Sequence, residues 1–126
     1  MQYPLLQDVK PQVQYGFLSA KGASWYNRWK KRFFVLTDKQ QLVYFDSNLA
    51  SARAEAIIEL ADCTICPAED ITGKANTIKI LFGNKQKDEL FLQAPNEAEH
   101  FEWLCQLQNS IEEAGKRVNP TTAAPK

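Results

Sequence analysis

Trp29-Lys30-Lys31-Arg32-Phe33-Phe34-Val35-Leu36 is the stretch on which the reading of the fold turns. Three aromatics and a valine in eight positions favour extended backbone. A strand sends residues i and i+2 to the same face, so Lys30, Arg32, Phe34 and Leu36 share one side. That side is cationic at its start and apolar at its end, as expected of an inward-facing strand whose first residues line a mouth. Lys21 and Arg28 lie just upstream, making five basic residues and no acid between positions 21 and 32.

Further strands are expected on both sides. Residues 14–20 alternate loosely around Tyr15, Phe17 and Leu18, with Gly16 marking a bend or a close backbone approach. A turn over 21–27 joins this strand to the basic one. Residues 38–41 form a hairpin loop, 42–45 the return strand and 46–53 a polar loop. Short strands are expected over 56–60 and 64–66, over 77–82 after a turn at Gly73, and over 89–94 after a polar loop at 83–87. Seven short strands at roughly ten-residue spacing indicate an all-β sandwich or barrel. The period then changes. Asn96 with Glu99 forms a capping-box-like pair, and Glu97 and Glu99 suit a positive helix N-terminus. His100, Trp103, Leu104, Leu107 and Ile111 recur at helical spacing, and Gly115 is the expected stop.

The chain has 126 residues, with 15 basic and 15 acidic side chains, and reads as one domain. Residues 1–13 and 115–126 carry prolines and no sustained period, so they are expected as an N-terminal extension and a C-terminal linker around a domain at 14–114. The basic pole is offset by two acidic stretches. Residues 55–70 hold five acids and no base, and residues 97–113 hold five acids with only His100. A neutral chain with one basic pole focuses anions, either phosphates or an anionic membrane.

The order of seven strands and one helix, with these local residues, resembles the pleckstrin-homology (PH) domain family. Gly16-Phe17-Leu18 is similar to the family's first-strand Gly-aromatic-Leu. The stretch from Trp29 to Leu36 is similar to its Trp-Lys-x-Arg-aromatic-Phe-x-Leu, and Leu42-Val43-Tyr44-Phe45 to its third strand. Trp103 stands where the family places a helical tryptophan. The resemblance covers about residues 14–114. It implies a mainly β fold: a seven-stranded, strongly bent antiparallel barrel or sandwich capped by one C-terminal α-helix. It also implies a phosphoinositide or inositol-phosphate head group held in a ring of three loops, here 21–28, 46–53 and 83–87.

Lipid head-group binding then falls to Lys21, Arg28, Lys30, Arg32, Tyr44, Arg53, Lys85 and Lys87, and membrane contact to Trp25 and Tyr26. Arg offers a two-pronged donor and Lys a compact charge. The chain departs from the family pattern at two places. Ala20 occupies the family's first-strand lysine position, so Lys21 comes one residue late and faces the other way unless the turn starts early. Glu55 stands where some tight binders have a base, with Arg53 two positions earlier.

Other readings stay open. The basic cluster also suits a solvated strand edge. A protein-interaction module on the same scaffold would use the acidic helix or the strand edges, with a small GTPase or an autoinhibitory contact as partner. Nucleic acid is not expected as a partner of a neutral chain. Three cysteines do not make a disulfide scaffold, and Cys63 and Cys66, despite their CxxC spacing, are expected as buried small hydrophobes. His100 is expected in a structural role. No catalytic motif, cofactor or metal site is expected, so the chain reads as a binding module. Cytoplasmic, peripheral membrane association is the expected location.

Overall fold

The computed structural model of the chain describes residues 3–22, 28–83, 85 and 87–118. Trp25 and Tyr26, expected at the tip of the first loop, lie outside these residues. Seven antiparallel strands form one sheet: β1 (Gln12–Gly22), β2 (Lys30–Thr37), β3 (Gln41–Phe45), β4 (Ala56–Glu59), β5 (Thr64–Pro67), β6 (Thr77–Phe82) and β7 (Asp88–Gln93). Their spatial order is β4-β3-β2-β1-β7-β6-β5. The edge strands β4 and β5 both send side chains, Ile58 and Ile65, to one core cluster, so the sheet curls round on itself. Besides a 3-10 turn at Leu6–Asp8, two α-helices are described: α1 (Glu69–Thr72), where a simple turn at Gly73 was expected, and α2 (Glu97–Val118). Gly73 takes the left-handed conformation that closes α1.

Helix α2 starts as its sequence directs. Asn96 Oδ1 accepts the Glu99 backbone N–H at 2.9 Å, and Asn96 Nδ2 donates to Glu99 Oε2 at 3.3 Å. Its apolar face buries His100, Trp103 and Leu107, with Leu104 and Ile111 half-buried beside them. Trp103 is fully buried among Leu18, Phe34, Ile80 and Leu107. Gly16 runs beneath it: a Cβ there would stand 4.0 Å from the indole Nε1. That is an ordinary van der Waals distance, so the helix does not impose the close approach expected at this glycine. The expected stop at Gly115 does not hold, because α2 continues to Val118. A helical glycine costs only about 1 kcal/mol against alanine, too little to break a packed helix.

The strand β2 is buried on both faces from Phe33 to Thr37. Phe34 and Leu36 enter the core under α2, while Phe33 and Val35 point outward into a second cluster with Val43, Phe45 and Ala54. Leu6 and Val9 cover this outer cluster. Residues 3–9, expected as part of a peripheral extension, instead strap across the sheet and zip to the β3–β4 connection. The backbone N–H groups of Leu6 and Gln7 donate to the carbonyls of Ala52 and Ala50 at 2.8 and 3.0 Å, and Ala54 N–H donates to Pro4 O at 2.9 Å. The strap escapes a periodicity search because it buries only two apolar side chains, Leu6 and Val9, and otherwise bonds through its backbone.

This arrangement makes a test. Leu6→Ala should lower unfolding free energy by about 2–3 kcal/mol, as for a buried leucine. Val13→Ala, at an exposed position, should stay within about 0.5 kcal/mol. Urea unfolding followed by tryptophan fluorescence measures both.

Candidate head-group site

Strand register gathers three connections at one end of the sheet. Gly22 at the end of β1 pairs with Leu90, two residues inside the start of β7, so the β1–β2 and β6–β7 connections leave together. Phe45 at the end of β3 pairs with Phe33 near the start of β2, which brings the β3–β4 connection to the same end. Lys30 and Arg32 stand on β2 at this end. They share the face of Phe34 and Leu36, so the inner surface turns from apolar to cationic toward the loops.

The cations there are not bare. Arg32 Nε donates to Glu55 Oε1 at 2.7 Å, and its Nη1 donates to the Lys31 carbonyl at 2.9 Å. Glu55 follows the β3–β4 loop and reaches Arg32 because its backbone N–H bonds Tyr44 O at 2.8 Å. Tyr44 lies opposite Phe34 on β3, their ring centroids 5.1 Å apart. Burial pushes the Tyr44 phenol above its ordinary value of 10.0, Glu55 adds to the rise, and Arg32 opposes it. The phenol therefore keeps its proton at neutral pH.

The other sequence candidates divide. Lys21 does not join Lys30 and Arg32. It alternates with Ala20 and Gly22, both buried, and points outward, where its Nζ lies over the Phe91 ring at 5.7 Å. Its position one residue after Ala20 puts it on the opposite face of the strand. Arg53 is engaged by the strap: its Nη1 donates to the Tyr3 carbonyl at 2.8 Å. Arg28, Lys85 and Lys87 are exposed on the connections at this end. Lys31 was counted only as part of the basic run. It sits on the outer face with its Nζ 4.9 Å from the Phe17 ring centroid. Lys74 was missed. The β5–β6 connection brings its Nζ to 5.7 Å from the Trp29 ring centroid, a contact across 45 positions that no local pattern carries.

The comparisons with known proteins agree with this fold. The PH domain family matches residues 12–112. The chain belongs to the PH domain family. The domain is 27% identical to the C-terminal PH domain of pleckstrin, solved in complex with D-myo-Ins(1,2,3,4,5)P5. That match has a TM-score of 0.66 and covers 79% of this chain and 98% of the other. The human pleckstrin C-terminal PH domain in solution matches at 26% identity and TM-score 0.65, over 81% of each chain. Among curated proteins, Ras GTPase-activating protein 1 of Homo sapiens, Bos taurus and Rattus norvegicus is 28% identical over 102 residues, or 76% of this chain. The PH domain spans only 9% of the length of those relatives.

Two further features bear on function. None of the described helices is long and apolar enough to cross a membrane. Among the described residues, no cluster of three or more His, Cys, Asp and Glu side chains could hold a metal ion. Cys63 is buried as expected, whereas Cys66 is exposed on the edge strand β5; Cys105 on α2 is exposed as well.

The raised Tyr44 phenol gives a pH test. Folding favours its protonated form, so its contribution to stability is complete below pH 10 and is lost as pH rises through the higher folded value. Unfolding midpoints measured from pH 8 to 11.5 should decline less steeply in Tyr44→Phe than in the unaltered domain.

Proposed function

We propose that the domain binds the phosphorylated head group of a membrane phosphoinositide at its three-loop end, and thereby brings the protein that carries it to a membrane. The observation that carries this reading is the inward alignment of Lys30 and Arg32 above Phe34, with the Tyr44 phenol beside them. In this reading Arg32 grips phosphate oxygens, Lys30 supplies a second charge and Tyr44 donates its hydroxyl proton. Arg28, Lys85 and Lys87 on the surrounding connections add attraction toward an anionic leaflet, up to about 1 kcal/mol for each residue near the surface. Trp25 and Tyr26 are proposed to contact the bilayer at headgroup level. Arg53 contributes by its charge from the strap side. Lys21 and Lys31, on the outer face, add to the general field. Pleckstrin's C-terminal PH domain in complex with an inositol pentakisphosphate is consistent with this chemistry.

Glu55 sets a threshold in this scheme. An incoming phosphate must take Arg32 from a carboxylate already 2.7 Å away. Both partners are partly exposed, so the pair is a modest competitor worth about 0.2–1 kcal/mol. A densely phosphorylated ring overcomes it more readily than a single phosphate.

Liposome co-sedimentation across the individual phosphoinositides tests the function, with soluble inositol polyphosphates titrated in parallel to separate a head group from a lipid surface. Saturable binding to one or two lipids, lost by at least about tenfold in a Lys30→Ala/Arg32→Ala double variant, is the expected result. Equal sedimentation with any anionic lipid, unaltered in the double variant, overturns it. Glu55→Gln should tighten binding by about two- to fivefold, matching the ion pair it removes. Lys21→Ala should weaken it only slightly and equally for all anionic lipids.

A further inference from the structure

A second surface lies on elements that the head-group site does not use. Strand β5 is an edge of the sheet, hydrogen-bonded to β6 on one side only. Helix α2 runs beside it, and a groove of about 390 Å3 opens between Ile65, Cys66 and Pro67 of β5 and Phe101, Leu104 and Cys105 of α2. Phe101 is 58% exposed, a large apolar side chain left in water at the groove wall.

The charge of the two groove walls has one sign, and the nearest cation, Lys79 opposite Cys66 on β6, is paired with Glu89 at 3.8 Å. Every residue that lines it falls in residues 55–70 or 97–113, the two stretches that together carry ten acids and no lysine or arginine. Helical spacing puts Glu112 on the face of Phe101, Cys105 and Gln108, and Glu102 beside Cys105 and Asn109. Glu69 and Asp70 open α1, one residue past the end of β5. An anionic membrane is repelled by such a rim, whereas a cationic chain is attracted.

We propose that the β5–α2 groove is a docking site for an extended segment of a partner protein, with bulky apolar side chains flanked by lysine or arginine. The segment lies along the β5 edge, which offers main-chain pairing, while its apolar side chains enter between Pro67 and Phe101 and its cations meet the acidic rim. This reading does not depend on lipid binding, since the two sites share no residue.

Selection of a displayed random-peptide library on the full chain tests the proposal. The expected peptides carry an aromatic or branched apolar residue next to lysine or arginine. Their affinity should fall at least tenfold in Phe101→Ser, and similarly in Glu102→Lys/Glu112→Lys. The exposed position of Phe101 lets the first variant fold, and an unchanged unfolding midpoint confirms that it has. Cys66 and Cys105 provide a control that needs no substitution. Maleimide modification of these two exposed thiols should block the peptides, while burial and the nearby Asp62 and Glu59 charges push the Cys63 thiol up to about 11 and leave it unreactive. Binding should persist in the Lys30→Ala/Arg32→Ala variant and in the presence of inositol hexakisphosphate. The proposal is overturned by four results: no enrichment beyond a library selected on Phe101→Ser, enriched peptides without basic residues, displacement of the peptides by inositol hexakisphosphate, or a concentration-dependent dimer that Phe101→Ser abolishes, which would make a second copy the occupant.

Discussion

Neighbouring residues of a β-strand must point to opposite faces, and in β2 both faces are apolar. The run Phe33-Phe34-Val35-Leu36 therefore cannot be satisfied by one layer. Phe34 and Leu36 require a cover from one side, which Trp103 and Leu107 of α2 provide. Phe33 and Val35 require a cover from the other, which Leu6 and Val9 of the N-terminal strap provide. The sheet lies between two coverings of unequal size, one a 22-residue helix and the other a short strap. The strap cannot cross β2 and β3 without meeting the β3–β4 connection, so the demand for burial on β2 also anchors one of the three loops at the candidate site.

The same alternation sorts the basic cluster. Four of the five cations crowded in sequence lie on strands and become two sets in space. Lys30 and Arg32 follow the inward face, while Lys21 and Lys31 follow the outward face and rest on Phe91 and Phe17. Resting on an aromatic face keeps a lysine head near the surface without removing it from water. Arg32 lies next to the core and is paired with the Glu55 carboxylate, at 20% side-chain exposure. A half-buried guanidinium costs more to leave uncompensated than a solvated lysine, which accounts for Glu55 at that point.

Most of the fold could be read from local patterns, because β2, β6 and α2 announce themselves by apolar periodicity and the helix by its Asn96–Glu99 start. The expected span of β6, residues 77–82, matches the structure. What escaped reading was made by backbone groups or by distant partners. The strap bonds through carbonyls and amides that every sequence possesses. Arg53 is held by the Tyr3 carbonyl, 50 positions away, and carries no sign of that partner in its neighbourhood. The outward turn of Lys21 was legible from its offset from Ala20. The exposure of Cys66 was not, since whether a short strand lies at an edge depends on the order of the whole sheet.

The strap also bears on where this domain can be cut. The family match begins at residue 12, just past Leu6 and Val9. A fragment trimmed to that boundary would keep every strand and the whole helix, yet leave Phe33, Val35, Val43 and Phe45 without their lid. Four large side chains on one uncovered sheet face form a contiguous sticky patch. Any stickiness of such a fragment would belong to the cut and would say nothing about the domain that keeps its first eleven residues.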